Sequence, residues 1–444
     1  MINQKNGKSV YIETFGCQMN KLDSELVAGR FLEEGYSITK DKKSADVILF
    51  NTCSVREHAE ERVYSRAGTL KSLKRKNPHL VIGVLGCMAQ NHQGQVIERL
   101  PHVDLVAGPR KINSIPDLVD DIKKSKTQVI AVDKEGEEYT DVFRREDARE
   151  TPFQAYVKIM EGCDCSCTFC IVPNVRGSEV SRSPDVIVDE VKKLADSGCV
   201  EITLLGQTVN SYGKGLNPKI DLGGLLEKVH EVEGIRRIRF ITSHPIFVRK
   251  SLIDAMSDLP KVCKYLHIPA QSGSNRILKL MKRGYTSERY VEMVDELREN
   301  VKGIEIASDF IVGFPTETEK DFQDTVELMQ KVRFQNSFVF KYSPRPGTDA
   351  DELEDDVPLT VKKERNQILL NIQNKISLEK NKTLIGKKVE ILVEGPSKSN
   401  PLRQTGRTDT NAIVVFESNE DLKGKFINIE ITDATALTLF GRPV

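Results

Sequence analysis

The sequence predicts an α/β protein in three parts: an N-terminal open parallel α/β sheet, a central partial (β/α) barrel and a small C-terminal β-barrel. Three observations predict it. Short β-branched runs alternate with segments of helical period through most of the chain. A charged stretch with few apolar residues, 133–151, interrupts that alternation once and reads as a linker. After Gly386 the texture changes to short strands separated by turns rich in Gly, Pro, Ser and Asn. The expected divisions are 8–125, a linker 126–150, a barrel 151–382 and a β-module 383–444, in keeping with two to four domains for 444 residues.

In the first part, 9–15 reads as a strand and 20–34 as a helix closed by Gly35. Residues 45–51 (ADVILFN) form a continuous apolar run, typical of a buried parallel strand. A helix over 55–74, a buried strand at 81–85, a helix through Leu100, a strand at 103–107 and a helix at 112–124 follow. Cys17, Cys53 and Cys87 each come directly after a strand. Ligands in open α/β sheets sit at the carboxyl ends of strands, so this shared position predicts a three-cysteine cluster site. A lone cysteine there would be a small buried residue.

In the second part, strands are expected at 155–160, 201–205, 238–242, 265–268, 304–312 and 337–342, with crossover helices between them. The first strand leads into GCDCSCTFC, which contains C-x3-C-x2-C as Cys163, Cys167 and Cys170. Three thiolates so spaced can hold three irons of a cubane and leave the fourth open to a ligand. Pairs that include Cys165 are too cramped for separate sites. The alternative is a zinc knuckle, which needs a second C-x2-C or a His pair, and no His lies between His102 and His230. Gln207, Ser243, Gln271 and Asp309 lie at or near the carboxyl ends of strands, where they either cap loops or contact a ligand. Cys199 and Cys263 fall at the opposite strand ends and read as core.

A helix is expected from Pro358 to about Lys382, and the β-module should hold strands at 388–393, 412–416, 426–432 and 436–440. Phe416 and Phe440 read as its core. Lys+Arg and Asp+Glu both number 65, so no global charge points to nucleic acid. Arg62, Arg66, Lys71, Lys74, Arg75 and Lys76 form a local basic run, either a solvated face or a phosphate contact. The acidic run 349–356 reads as solvated. No apolar run approaches a membrane span, and residues 1–8 lack an apolar signal core, so a cytoplasmic, membrane-free protein is expected.

The cysteine loop, with Phe169 just before its last Cys, resembles the radical S-adenosylmethionine (SAM) superfamily. FGCQMNKLDSE (15–25), NTCSVREHAEERV (51–63), LGCMAQ (85–90), LLGQTVNSYG (204–213), TSHP (242–245), QSGS (271–274), DFIVGFPTETEKDF (309–322) and YSPRPGT (342–348) resemble its methylthiotransferase family. The last module resembles the RNA-binding TRAM domain. The resemblance spans nearly the whole chain. FGCQMN, NTCSVRE, VNSYG and GRTDTN (406–411) match the MiaB-type branch. The ribosomal-protein (RimO-like) branch differs after its first cysteine, where this chain has Gln18-Met19-Asn20.

This resemblance implies methylthiolation at C2 of N6-isopentenyladenosine at position 37 of tRNA, beside the anticodon. The alternatives are RimO-like methylthiolation of a ribosomal protein residue and a non-enzymatic iron–sulfur RNA-binding protein. The metal ligands implied by the resemblance are Cys17, Cys53, Cys87, Cys163, Cys167 and Cys170, holding two [4Fe-4S] clusters. In the implied reaction SAM serves twice: one molecule methylates a sulfur held at the second cluster, another gives the 5′-deoxyadenosyl radical. Phe169, Gln207, Ser243, Gln271 and Asp309 are the candidate cofactor contacts. The implied partners are tRNA carrying N6-isopentenyladenosine, a flavodoxin-like or ferredoxin-like electron donor and a sulfur source.

Overall fold

A computed structural model describes residues 7–54, 57–133, 144–398 and 400–444. The expected helix start at Val55 and Arg56, and the expected linker's middle, 134–143, lie outside the described residues. The chain divides into two compact units, Met1–Cys165 with Cys170–Val180, and Ser166–Phe169 with Ser181–Val444.

The first unit holds six parallel strands: β1 (Ser9–Phe15), β2 (Ser37–Ile38), β3 (Val47–Thr52), β4 (Val81–Gly86), β5 (Leu105–Ala107) and β6 (Val129–Ala131). Their order is β2-β1-β3-β4-β5-β6. Every residue of β3 and β4 is buried, which is why VILFNT and VIGVLG read as unbroken runs rather than alternations. The edges differ from expectation. β2 was unforeseen, and β6 occupies part of the expected linker 126–150. Edge strands this short and this exposed carry no apolar pattern to read.

Two expected helices are each broken. The first is Glu57–Gly68 followed by Lys71–Lys76. At the break the Thr69 hydroxyl donates to the Arg66 carbonyl (2.7 Å) and Leu70 N–H turns back to Ala67 (2.9 Å). Gly68 and a β-branched Thr give a helix little reason to continue. The second break divides Cys87–His92 from Gly94–Arg99 at Gln93, whose φ is +46°. The helix after β5 starts later than 112, because Pro109–Ser114 forms a 3-10 turn before Ile115–Ser125. Strands β7 (Gln154–Lys158) and β8 (Met160–Glu161) run into the cysteine loop, and β9 (Val180–Ser181) follows it.

The second unit holds β10 (Glu201–Leu205), β11 (Arg237–Phe240), β12 (Tyr265–His267), β13 (Glu305–Val312) and β14 (Asn336–Lys341). β10 pairs parallel with β11, and β12, β13 and β14 pair parallel in that order. A parallel bridge, Ile238 to Val262, carries β11 on to the approach of β12. One face of this arc is apolar and fully buried: Ile202, Leu204, Ile238, Phe240, Leu266, Ile306, Phe310 and Val312. The other face carries Glu201, Arg237, Arg239, Tyr265, His267 and Asp309. Helices at Pro184–Asp196, Leu222–His230, Lys250–Asp258, Ser287–Asn300 and Glu319–Val332 make the crossovers. The first of the six expected barrel strands, β7, falls in the first unit.

After the helix Leu359–Lys382 the chain closes a barrel of five strands, not the four expected. They are β15 (Lys388–Pro396), β16 (Arg403–Arg407), β17 (Ile413–Glu417), β18 (Phe426–Ala434) and β19 (Leu439–Pro443). β16, RQTGR, has no apolar signal. Its buried positions are Gln404 and Gly406, and a Cβ on Gly406 would lie 2.5 Å from the Leu392 carbonyl oxygen. Phe416 is core and Phe440 is partly exposed. No helix among the described residues is long and apolar enough to cross a membrane.

The GRTDTN stretch anchors this barrel to the polar face of the arc. Arg239 donates from Nε to Glu201 (3.0 Å), from Nη1 to the Asp409 carbonyl (3.1 Å) and from Nη2 to the Thr408 carbonyl (2.6 Å). Arg237 donates to the carbonyls of Arg407 (2.7 Å) and Glu390 (3.0 Å). Arg236 lies 3.8 Å from the Phe426 ring centroid. Arg239→Ala would remove a buried cation from beside Glu201 and the donor to the 408 and 409 carbonyls. It is expected to lower the urea midpoint by an amount worth about 3 kcal/mol. An unchanged midpoint would show that the latch contributes nothing.

Candidate functional site

The ends of β1, β3 and β4 lie side by side in register: Phe15 pairs with Thr52, and Thr52 with Gly86. The next residues along are Gly16, Cys53 and Cys87. A Cβ on Gly16 would sit 2.5 Å from that of Cys53, and its φ is +120°, so only glycine fits there. The chain therefore takes one more residue to reach Cys17, which caps the helix Gln18–Glu33. Gly86 is equally constrained: φ is +87° and a Cβ would lie 2.3 Å from Asn51 Oδ1. Asn51 Nδ2 donates to Ser24 Oγ (2.9 Å) and to the Asn20 carbonyl (2.9 Å), and Cys17 Sγ donates to Asn20 Oδ1 (3.1 Å). The Asn residues of FGCQMN and NTC thus hold the cysteine-bearing strand ends together.

Cys53 and Cys87 are buried and Cys17 is partly exposed. The Cys17 thiol is pulled down to about 6, chiefly by its hydrogen bond with Cys53, against the effect of burial. Burial pushes the Cys87 thiol up. Arg176, which no sequence motif singles out, donates from Nε to Cys87 Sγ (3.2 Å). Its guanidinium is buried, with Nη2 on Asp23 (2.6 Å) and Nη1 on Glu161 (3.3 Å). Glu161 also accepts from Lys158 Nζ (2.8 Å). Burial raises the Glu161 carboxyl, but Lys158 and Arg176 outweigh it and hold it below the usual carboxylate range.

The C-x3-C-x2-C loop starts at Gly162, where φ is +80° and a Cβ would lie 2.0 Å from the Ser178 carbonyl oxygen. Cys163 N–H donates to the Gly177 carbonyl (3.1 Å), and Cys165 N–H to Cys163 Sγ (3.4 Å). Cys163 is buried; Cys165, Cys167 and Cys170 are partly exposed. In the second unit, Thr168 is tied to the carbonyls of Met281 (3.2 Å) and Leu280 (3.0 Å). Phe169 packs against Ile277, Met281, Phe314 and Tyr342. Buried Arg283 donates from Nη1 to Cys167 Sγ (3.2 Å). Each unit therefore has one cysteine sulfur that accepts from a buried guanidinium. Sequence spacing could not find either arginine, since 89 residues separate Cys87 from Arg176 and 116 separate Cys167 from Arg283.

The other four candidate contact residues share the second unit with Phe169. Gln207 follows β10, Ser243 follows β11, Gln271 follows β12, and Asp309 lies within β13. Gln207 Oε1, Ser243 Oγ and Gln271 Oε1 are buried with no hydrogen-bond partner. Such atoms cost about 1–3 kcal/mol each unless something bonds them, and these three lie at one set of strand ends. Thr242 and Gln271 take positive φ, +71° and +69°, a strain that collects at ligand sites. Asp309 Oδ1 is 3.1 Å from His267 Nε2. His244, buried beside Arg283, is held down to about 3 by burial and is neutral. In the basic run, Lys74 is taken up by Asp104 (2.8 Å), and Arg66 lies 3.7 Å from Glu13. Arg62, Lys71, Arg75 and Lys76 are exposed.

The chain is 47% identical over 456 residues to the tRNA-2-methylthio-N(6)-dimethylallyladenosine synthase of Rhodopirellula baltica, covering 98% of this chain and 95% of that one. It is 46% identical to the synthase of the same name from Moorella thermoacetica, covering 99% of each. The chain belongs to the family of tRNA-2-methylthio-N(6)-dimethylallyladenosine synthases. Three family models match in succession. They are the uncharacterized protein family UPF0004 over 9–108, the radical SAM superfamily over 157–329 and the TRAM domain over 382–444. Cys17, Cys53 and Cys87 fall in the first of these regions, Cys163, Cys167 and Cys170 in the second, and the β-barrel is the third. Among solved structures, the fold resembles the radical SAM methyltransferase TsrM from Kitasatospora setae. The TM-score is 0.58 at 13% identity, covering 78% of this chain and 75% of that one. It also resembles the cobalamin-dependent radical enzyme OxsB, with TM-score 0.51 at 14% identity, covering 84% and 56%.

Proposed function

We propose that this chain methylthiolates C2 of N6-dimethylallyladenosine (isopentenyladenosine) at position 37 of tRNA, with S-adenosylmethionine and two [4Fe-4S] clusters. The observation that carries this is the pair of three-cysteine sets: one brought to a common sheet edge by register, the other given by loop spacing.

The residues fit these groups. Cys17, Cys53 and Cys87 would hold one cluster, and Cys163, Cys167 and Cys170 the other; soft thiolates suit iron–sulfur chemistry, and three ligands leave an iron open. Gly16 and Gly86 give the strand ends room that a Cβ would fill. The unsatisfied atoms of Gln207, Ser243 and Gln271 suit the polar groups of S-adenosylmethionine. When bound, clusters and SAM together supply a radical able to act on an unactivated aromatic C–H, and a methyl group for sulfur. The chain's own residues orient and tune. Arg176 and Arg283 each direct an N–H at a ligand sulfur, which disperses thiolate charge in a buried site. Asp23, Glu161 and Lys158 hold Arg176 in place. His244, neutral, accepts the Ile246 N–H at Nδ1 (3.3 Å) and fixes the turn that presents Ser243.

The reaction needs an electron donor, flavodoxin-like or ferredoxin-like, and a sulfur source. A tRNA substrate and this reducing chemistry support a cytoplasmic setting. The relatives named above carry the tRNA name, which favours tRNA over a ribosomal protein as substrate. The test is nucleoside mass spectrometry of bulk tRNA from a strain lacking the gene. Loss of the methylthio nucleoside with accumulation of its N6-dimethylallyl precursor is expected. Unchanged tRNA with an altered ribosomal protein would overturn the reading.

A further inference from the structure

β14 is the last strand of the arc, and its side chains alternate between the two faces. Ser337 is buried. On the opposite face Phe338 is 45% and Phe340 38% exposed, and they are the only exposed phenylalanines among the described residues. Each forgoes part of the stabilisation that burying a Phe side chain brings. Two such rings at successive positions of one face make a platform.

Polar groups border this platform. Phe338 stands in register with Asp309, and Phe340 with Ile311. The Phe338 ring meets the His267 imidazole edge-on, centroids 6.2 Å apart, and His267 Nε2 is 3.1 Å from Asp309 Oδ1. Gln271 is bound to the same strip by its backbone: its N–H donates to the Asp309 carbonyl and its carbonyl accepts from Ile311 N–H, both 2.9 Å. Its side-chain Oε1 has no partner. Gln271 thus adjoins the platform. Lower on the same face, Arg237 and Arg239 are already covered by the 407–409 segment.

We infer that Phe338 and Phe340 receive the dimethylallyl group of the modified adenine and select for it, with the base edge toward His267 and Asp309. This rests on the proposed function. A branched five-carbon chain on an aromatic base matches the surface. It offers apolar atoms for the two rings and polar base edges for His267 and Asp309.

The test uses the full-length, cluster-loaded protein and two anticodon stem-loop RNAs, one with N6-dimethylallyladenosine and one with plain adenosine. Dissociation constants are measured by fluorescence anisotropy at matched salt, without oxygen, beside the dissociation constant for SAM. The double variant Phe338→Ala, Phe340→Ala is expected to cut the preference for the dimethylallyl hairpin on the order of 10- to 100-fold. The plain hairpin should bind as before. Phe338→Leu with Phe340→Leu should restore most of the preference, because apolar contact is kept. An unchanged preference, an equal weakening of both hairpins, or lost SAM affinity in place of lost preference would each overturn the platform. A wild-type protein that prefers neither hairpin would overturn the functional reading itself, and the occupant with it.

Discussion

Replacing Cys17, Cys53 and Cys87 together by Ala is expected to abolish the methylthiolated nucleoside while leaving 5′-deoxyadenosine formation from SAM measurable. All three follow strands of the six-stranded sheet, and none belongs to the C-x3-C-x2-C loop. Bound iron should fall by about half, from about eight per chain. The sheet should survive. Arg176 loses the Cys87 sulfur but keeps Asp23 and Glu161, so its buried charge stays compensated. Persistent 5′-deoxyadenosine would itself report an intact C-x3-C-x2-C loop, and circular dichroism would report the six-stranded sheet. A triple variant that still yields normal methylthiolated tRNA would contradict the assignment.

The complementary triple variant, Cys163→Ala, Cys167→Ala and Cys170→Ala, is expected to lose both 5′-deoxyadenosine and methylthiolated product, again with about half the iron. Cys165→Ala separates the ligand sets. The Cys165 amide donates to Cys163 Sγ, and Arg283 donates to Cys167 Sγ. Those two sulfurs have partners suited to thiolate ligands, and the Cys165 backbone serves its role without the side chain. Cys165→Ala should therefore keep most of its iron and its SAM cleavage. If it behaves like the triple variant while Cys163→Ala does not, the outer-three assignment is wrong.

Much of this arrangement was legible in the sequence because burial on both faces leaves unbroken apolar runs. VILFNT and VIGVLG announced β3 and β4, and with them the placement of Cys53 and Cys87. What escaped has physical reasons. β2 and β6 are edge strands too short to show a period. β16 buries Gln404 and Gly406 in place of apolar residues, and at Gly406 the Leu392 carbonyl comes too close for any side chain. Helix breaks at Thr69 and Gln93 depend on single backbone choices that an amphipathic pattern does not record. Arg176 and Arg283 reach their sulfurs through tertiary folding, and the exposure of Phe338 and Phe340 depends on which face of β14 they occupy. The GRTDTN stretch marked the branch in the sequence, and the structure gives it a job as the latch onto Arg237 and Arg239. Removing the β-module at about residue 384 would strip those arginines of their carbonyl acceptors. Point variants are therefore cleaner probes of its RNA role than truncation.

The most direct measurement tracks one reaction of the full-length, cluster-loaded protein with methyl-labelled SAM, reductant, a sulfur source and tRNA carrying N6-dimethylallyladenosine. S-adenosylhomocysteine, 5′-deoxyadenosine and the methylthiolated nucleoside are quantified together over time. Use of SAM in two roles, served by two cysteine sets, should give S-adenosylhomocysteine and nucleoside in equal amounts, with the label in the nucleoside and 5′-deoxyadenosine at least matching it. Labelled nucleoside formed without S-adenosylhomocysteine, or S-adenosylhomocysteine formed unchanged by the Cys17, Cys53 and Cys87 triple variant, would contradict it.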